Sequence, residues 1–353
     1  MNSFNFNEFK TAIKPILTFY KCKNYHISYF GGEPLMNWDI IEKSLPQFSK
    51  DPDCKSIVLI SNGLLLDPTK VDFLKTYKCG LSWSFDGLWS FNRPLVSSQT
   101  TENTTIVENS ETKTNSLKTY ESIIPLTLQL TSSCKVMVQP NCFDTLVDNL
   151  KYFMNKGIRH PDFSLVRDAI YLSRDIKLYR IKCKELADFI IQTNQNVTKV
   201  GDLVSVGFFT LYTLDTLAAK LYGKRKFGCF VGSNGIMYAY DGSIWPCERF
   251  RSVNKLKLYD SNTKVYDFQN LKKLKEISKT HNIPKCQSCE LFEYCNTGCT
   301  FSELRESKNL NLKTNDREPV DSVCELFKIT YKNALYIFEN AGKIYQDYIL
   351  KQL

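Results

Sequence analysis

No apolar run in this 353-residue sequence is long enough to cross a bilayer, so a membrane-spanning class is not expected. The opening MNSFNFNEFK lacks the basic start and apolar stretch of a secretion signal. We therefore expect a cytoplasmic location, where thiols stay reduced and structural disulfides are disfavoured. The acceptor-like triplets at Asn103 and Asn196 then carry no meaning. Internal repeats are absent, and so is any recognisable nucleic-acid motif. The net charge of +9 is spread along the chain rather than gathered, so no nucleic-acid partner is expected.

What the sequence does have is cysteine, thirteen in all. Seven of them form one ordered pattern: Cys229, twelve residues, Gly242, four residues, Cys247, then Cys286-x2-Cys289-x5-Cys295-x3-Cys299 and a lone Cys324. Thiolates are soft ligands that favour iron–sulfur clusters or zinc, and short spacings let neighbouring sulfurs converge on one inorganic core. Spacing alone leaves two chemistries open, iron–sulfur clusters or closed four-thiolate zinc centres. Cys54, Cys79, Cys134, Cys142 and Cys183 have no partner spacing and read as small buried hydrophobes.

The second informative stretch is Tyr25-His26-Ile27-Ser28-Tyr29-Phe30, a short strand by composition, which runs into Gly31-Gly32-Glu33-Pro34. Paired glycines let a backbone approach a ligand closely, Glu33 adds a carboxylate, and proline ends the strand by withdrawing a donor. Further strand runs end in polar residues. Ser56 to Ser61 ends at Asn62-Gly63, Leu81 to Phe85 at Asp86-Gly87, Lys135 to Gln139 at Pro140-Asn141, and Phe163 to Val166 at Arg167-Asp168. Apolar residues at helical spacing lie between them: Trp38, Ile41, Leu45 and Phe48, and again Leu146, Leu150 and Phe153 before Gly157. Strands alternating with helices predict an α/β fold with a parallel barrel-like sheet, whose ligands sit at the C-terminal strand ends.

The seven-cysteine pattern and the GGEP stretch together resemble radical S-adenosylmethionine (SAM) enzymes carrying a C-terminal SPASM domain, such as the anaerobic sulfatase-maturing enzymes and peptide maturases. The resemblance covers nearly the whole chain. It implies a partial (β/α)6-type barrel over residues 1–220, a cysteine-rich SPASM module over 221–330 and a C-terminal helix over 331–353. It further implies that Gly31, Gly32, Glu33 and Pro34 line the SAM methionine moiety, with Ser61, Asn62, Ser84 and Asp86 near its ribose or carboxylate. Gln139, Asn141 and Arg167 are looser candidates on the same rim, and Asp168 reads equally as a helix cap. The implied cofactors are SAM and two auxiliary 4Fe–4S clusters. Cys229, Cys247 and Cys299 would hold one cluster, its fourth position being open, water-bound or filled by substrate. Cys286, Cys289, Cys295 and Cys324 would hold the other. The implied partners are a peptide or protein substrate and a reductant such as flavodoxin or ferredoxin.

One departure from the family pattern matters. Radical SAM enzymes hold their catalytic cluster with Cys-x3-Cys-x2-Cys after the first barrel strand, and this sequence contains no such triplet. Cys22 is its one cysteine before Gly31 and lies beyond a first helix marked by Phe9, Ile13, Ile16 and Tyr20, which Pro15 interrupts. The expectation is a barrel lacking its first strand, unable to cleave SAM alone. Three explanations stand: a reading that starts late at an internal methionine, which we favour; a degenerate, non-catalytic iron–sulfur protein that binds a peptide or carries electrons; or a loop supplied by a second polypeptide.

Glu248 follows Cys247, and the resemblance offers it as a base, since sulfatase-maturing enzymes place an Asp there; pairing with Arg249 or Arg251 is the alternative. Asp241-Gly242 between Met237–Tyr240 and Ser243–Trp245 predicts a tight hairpin. The run Lys224-Arg225-Lys226 reads as a linker or an anion-facing patch. Ser97 to Thr119 reads as a mobile insertion. Tyr179, Cys183, Leu186 and Ile190 predict one further helix, and Ile337, Ala341, Ile344 and Tyr348 a C-terminal one.

Overall fold

The computed structural model describes residues 4–92, 110–223, 231, 235–277, 283–295, 299–306 and 320–353. Five strands form one parallel sheet in sequence order: β1 (Tyr25–Tyr29), β2 (Cys54–Ser61), β3 (Cys79–Ser84), β4 (Cys134–Val138) and β5 (Asp162–Leu165). Parallel neighbours need crossovers, and helices supply them: α2 (Trp38–Lys50), α3 (Pro68–Thr76), α4 (Ser110–Thr127) and α5 (Leu146–Asn155). The strands alternate in burial because successive side chains point to opposite faces. Leu59, Leu81, Trp83, Val136, Val138 and Phe163 are buried beneath the helices. The residues between them, Ser82, Ser84, Lys135, Met137 and Ser164, are half-buried on the opposite face, with Ser28 exposed. Val58 and Ile60 share that face, so it is mixed in character. This is a half-barrel, with one face packed by helices and the other half-buried.

A helix precedes the sheet. α1 (Phe6–Tyr20) is capped by Asn5, whose side chain accepts from the N–H groups of Asn7 and Glu8. It continues through Pro15, since the carbonyl that loses its partner is that of exposed Thr11, where water can substitute. Phe9 packs edge-on against Phe48 of α2 and against Tyr238.

Two long helices follow β5, α6 (Ser173–Asn194) and α7 (Gly207–Tyr222), the first burying Tyr179, Cys183, Leu186 and Ile190 as the spacing predicts. Next comes a small antiparallel sheet of β6 (Met237–Tyr238), β7 (Ile244–Trp245), β8 (Tyr259–Asp260) and β9 (Val265–Tyr266). The predicted hairpin joins β6 to β7, with Gly242 at φ +78°. Its loop is one residue longer than the shortest type. Ala239 O accepts from Gly242 N, and Ala239 N donates to Ser243 O. The short helices α8 (Phe268–Ile277), α9 (Pro284–Gln287) and α10 (Thr300–Glu306) follow.

The C-terminal part differs from expectation. One helix was predicted, but the chain forms α11 (Asp321–Asn340) and α12 (Lys343–Leu350), broken at Gly342 with φ +90°. α11 crosses the expected boundary at residue 330 and packs back on α6 and α7. Tyr331 stacks on Tyr212 at 4.2 Å, and the Tyr179 and Thr330 hydroxyls lie 2.7 Å apart. The expected insertion is also corrected from Ser110 onward, where α4 buries Tyr120, Ile123 and Ile124; residues 97–109 lie outside the described set. No helix among the described residues is long and apolar enough to cross a membrane.

Candidate functional site

The GGEP stretch sits at the C-terminal end of β1, on the rim where parallel strands present ligands. Gly31 has φ +150°, a conformation that side-chain-bearing residues rarely adopt, and a Cβ on Gly31 or Gly32 would meet nothing within 4 Å. The backbone there lies open. Glu33 then caps a 3-10 turn, Pro34–Asn37, its Oε1 accepting from Leu35 N–H at 3.0 Å. The same carboxylate ties the ends of β1 and β2 together. Ser61 Oγ donates to Oε1 at 2.7 Å and Asn62 N–H to Oε2 at 3.0 Å. A carboxylate has about four acceptor positions, so these three bonds leave one on Oε2, suited to a cationic donor such as an ammonium.

Ser61 is buried and uses both of its roles locally, donating to Glu33 and accepting from Gly63 N–H at 2.9 Å. It supports Glu33 rather than facing the rim. Asn62 is similarly engaged, its Oδ1 accepting from Leu64 N–H and its carbonyl from Trp83 Nε1. Ser84 is half-buried at the end of β3. Asp86 is 1 % exposed and accepts from Met137 N–H at 2.7 Å, so it stitches the β3 end to β4.

Gln139 is half-buried and Asn141 exposed at the β4 end. Arg167 lies over the Phe327 ring of α11, 5.5 Å from its centroid. Asp168 caps no helix. The backbone N–H of Leu172, at the start of α6, is bonded by Asp175, while Asp168 reaches the C-terminal part of the chain.

There, Arg249 pairs with Asp168 and donates from Nη1 to Ser302 Oγ at 2.7 Å and to Cys299 Sγ at 3.0 Å. Of the two alternative partners for Glu248, Arg249 is thus engaged elsewhere. Glu248 is an exposed carboxylate whose pKa is raised by partial desolvation, against the pull of Arg251. Burial pushes the Cys299 thiol up, but hydrogen bonds from Ser302 and Arg249 outweigh it and bring the thiol below its usual range. Thr300, next in the chain, is fully buried with a hydroxyl that finds no partner among the described residues.

Cys286 and Cys289 lie near Cys324 at the start of α11. Cys286 lies in α9, Cys289 N–H donates to the Cys286 carbonyl, and Cys295 N–H to that of Leu291. Cys324 occupies the first turn of α11, where burial and then the proximity of Cys286, Glu303 and Cys289 push its thiol up to about 11, against Lys285. Cys286, Cys289 and Cys324 are thus neighbours drawn from adjoining segments, soft donors whose chemistry fits an iron–sulfur cluster. No group of three or more His, Cys, Asp or Glu among the described residues is gathered tightly enough for a single ion. Cys247 is half-buried beside β7, while Cys229 and the Lys224-Arg225-Lys226 run lie outside the described residues. Burial explains four of the remaining thiols, and Cys22 is exposed. Cys79 and Cys183 are pushed up to about 12 and sit in the core with Cys134 and Cys142, whereas Cys54 is half-buried rather than buried.

The Asp168–Arg249–Ser302 cluster has no counterpart in the local sequence pattern. Asp168 and Arg249 are 81 residues apart, and no spacing marks them as partners.

No family-level sequence profile matches the chain. A 65-residue stretch, 18% of the chain, is 37% identical to the radical SAM cyclopropyl synthase TigE of Paramaledivibacter caminithermalis, and the match spans 14% of that protein's length. Solved structures are similar over far more of the chain. Polyhistidine-tagged anSMEcpe with bound AdoMet aligns with TM-score 0.65 at 18% identity, covering 96% of this chain and 86% of that one. Native anSMEcpe with bound AdoMet and Kp18Cys peptide gives 0.63, again at 18% identity, covering 96% of this chain and 90% of that one. Streptococcus suis SuiB bound to precursor peptide SuiA gives 0.51 at 18% identity, covering 92% of this chain and 70% of that one. The parallel half-barrel is the framework shared with these solved structures, and the TigE stretch adds a local sequence similarity to a radical SAM enzyme.

Proposed function

We propose that this chain is the SAM-binding and auxiliary-cluster portion of a radical SAM enzyme that modifies a peptide or protein. The observation that carries the reading is the Glu33 carboxylate at an open Gly31-Gly32 rim, held by Ser61 and Asn62 with one acceptor position spare. Gly31, Gly32, Glu33 and Pro34 would hold the methionine end of SAM, Glu33 taking its ammonium. Ser61, Asn62 and Asp86 act by fixing the strand ends, and Ser84, half-buried at the end of β3, would lie near the cofactor. SAM supplies the hydrogen-abstracting chemistry when bound and reductively cleaved. These 353 residues contain no Cys-x3-Cys-x2-Cys triplet, so SAM binding without cleavage is the proposed behaviour of this chain by itself. That Kp18Cys and SuiA peptides occupy structures of this fold supports a peptide substrate.

The thiols would hold two 4Fe–4S clusters, one on Cys286, Cys289, Cys295 and Cys324, the other on Cys229, Cys247 and Cys299. A flavodoxin- or ferredoxin-like reductant completes the proposed partners, and the cytoplasm is the proposed location. Glu248, following Cys247, is the proposed base that accepts a proton from the substrate side chain.

Calorimetry tests the SAM site. Glu33→Ala should weaken SAM binding at least about tenfold, the scale of a lost charge-assisted bond; equal affinity would reject the site. For Glu248, the Gln variant should abolish peptide modification in an assembly that cleaves SAM while leaving SAM affinity unchanged. Retained modification would remove Glu248 from the reaction.

A further inference from the structure

Asp168, Arg249 and the Cys299–Ser302 pair come from three separate stretches of chain and close on one another. Asp168 stands three residues beyond the end of β5, on the rim of the half-barrel. Arg249 lies in the 3-10 turn Glu248–Ser252 that follows Cys247. Ser302 belongs to α10, directly after Cys299. The guanidinium spends one nitrogen on Asp168 and the other on Ser302 Oγ and Cys299 Sγ, at 2.7 and 3.0 Å. Ser302 Oγ in turn donates to the second Asp168 oxygen at 2.5 Å. The Phe301 ring lies 5.5 Å from the guanidinium carbon and limits its swing. This arrangement needs the planar fork of arginine; a lysine is a single point charge and cannot serve both ends in the same way.

The side chains of Arg249 and Asp168 are 40% and 41% exposed. An ion pair this wet contributes too little to dock one part of the chain on another. Its consequence is orientation: Asp168 and Ser302 fix the rotation of the guanidinium so that Nη1 points at a sulfur.

We infer that Arg249 is a positioning residue that, oriented by Asp168 and Ser302, donates a hydrogen bond to Cys299 Sγ and sets the reduction potential of the iron–sulfur centre that Cys299 ligates. This rests on the reading of Cys299 as a cluster ligand given above. Adding an electron to such a centre increases the negative charge on its sulfurs. A cationic N–H donor stabilises that reduced form more than the oxidised one, so the potential rises. The half-barrel thereby acts on the auxiliary centre through one carboxylate, and the centre is an easier electron acceptor than its thiolates alone would make it.

The test is a dithionite titration of the anaerobically reconstituted full chain, followed by electron paramagnetic resonance, for the parent, Arg249→Met and Arg249→Lys. Iron content is measured alongside. The parent should show two centres. In Arg249→Met one of them should move to a lower potential at unchanged iron content while the other stays in place, and Arg249→Lys should move the same centre by less. Identical potentials in the parent and in both variants overturn the inference and leave the cluster reading intact. If the Met variant does not assemble its centre, the Lys variant decides, and an unmoved potential there overturns the inference. A parent chain with no iron–sulfur signal overturns the cluster assignment, and the inference with it.

Discussion

At the scale of single residues, the candidate SAM site is a problem of holding one carboxylate still. Glu33 depends on Asn62 N–H and Ser61 Oγ, and both depend on the turn at Gly63. Gly63 has φ +78°, and a Cβ there would sit 3.1 Å from Ile123 and 3.2 Å from both Thr127 and Trp83. Gly63→Ala should therefore cost about 1–2 kcal/mol from the left-handed backbone alone. The same change should weaken SAM binding through the displaced Asn62 N–H. Urea unfolding and calorimetry on one preparation check both, and unchanged values would show that the turn does not support the site. Residue roles were only partly legible in the sequence. GGEP and the polar strand ends were visible as motifs, but Ser61 and Asp86 look like ligand contacts in sequence and are bonded inward in the fold. Which of two neighbouring polar side chains faces the rim depends on strand pleat and turn geometry, which composition does not carry.

At the scale of elements, α1 joins the two halves of the molecule. Its Phe9 touches Phe48 and Tyr238, Phe19 stacks on Phe268, and Tyr266 donates to the Ala12 carbonyl. Lys10 fastens it to the turn before β2, bonding Asp51 at 2.6 Å and Asp53 at 3.1 Å, while Tyr25 donates to Asp51. Burial would raise the Asp51 pKa, but the bonds from Lys10, Tyr25 and Asp53 N–H outweigh it and hold the carboxyl below the ordinary range. A depressed carboxyl stabilises the fold above its unfolded pKa of about 4 and loses that contribution as pH falls through the folded value. Asp51→Asn should therefore unfold about 1–3 kcal/mol more easily at pH 7. The gap to the parent should close below about pH 4. Denaturation of both proteins across that range checks this, and a pH-independent gap would contradict it. Strands and most helices were legible because each has its own period and its own stop. The exceptions have physical causes. The early turns of α4 are Ser-, Thr- and Glu-rich and carry no apolar stripe. A single left-handed glycine, Gly342, divides what otherwise reads as one amphipathic C-terminal helix.

At the scale of the whole molecule, a parallel half-barrel is followed by a cysteine-rich segment that returns through α11 to pack on α6 and α7. That return places Cys324 near Cys286 and Cys289, contacts between thiols more than 30 residues apart that spacing alone could only suggest. The contact between Asp168 and Arg249 was invisible for the same reason, having no local pattern to announce it. The central claim is that these thiols hold iron and sulfide rather than zinc. The most direct measurement is the iron, acid-labile sulfide and zinc content of the anaerobically purified chain. The account predicts about eight irons and eight sulfides per chain, falling by about half in Cys295→Ala. Zinc without sulfide, or an iron content that Cys295→Ala leaves unchanged, would contradict it.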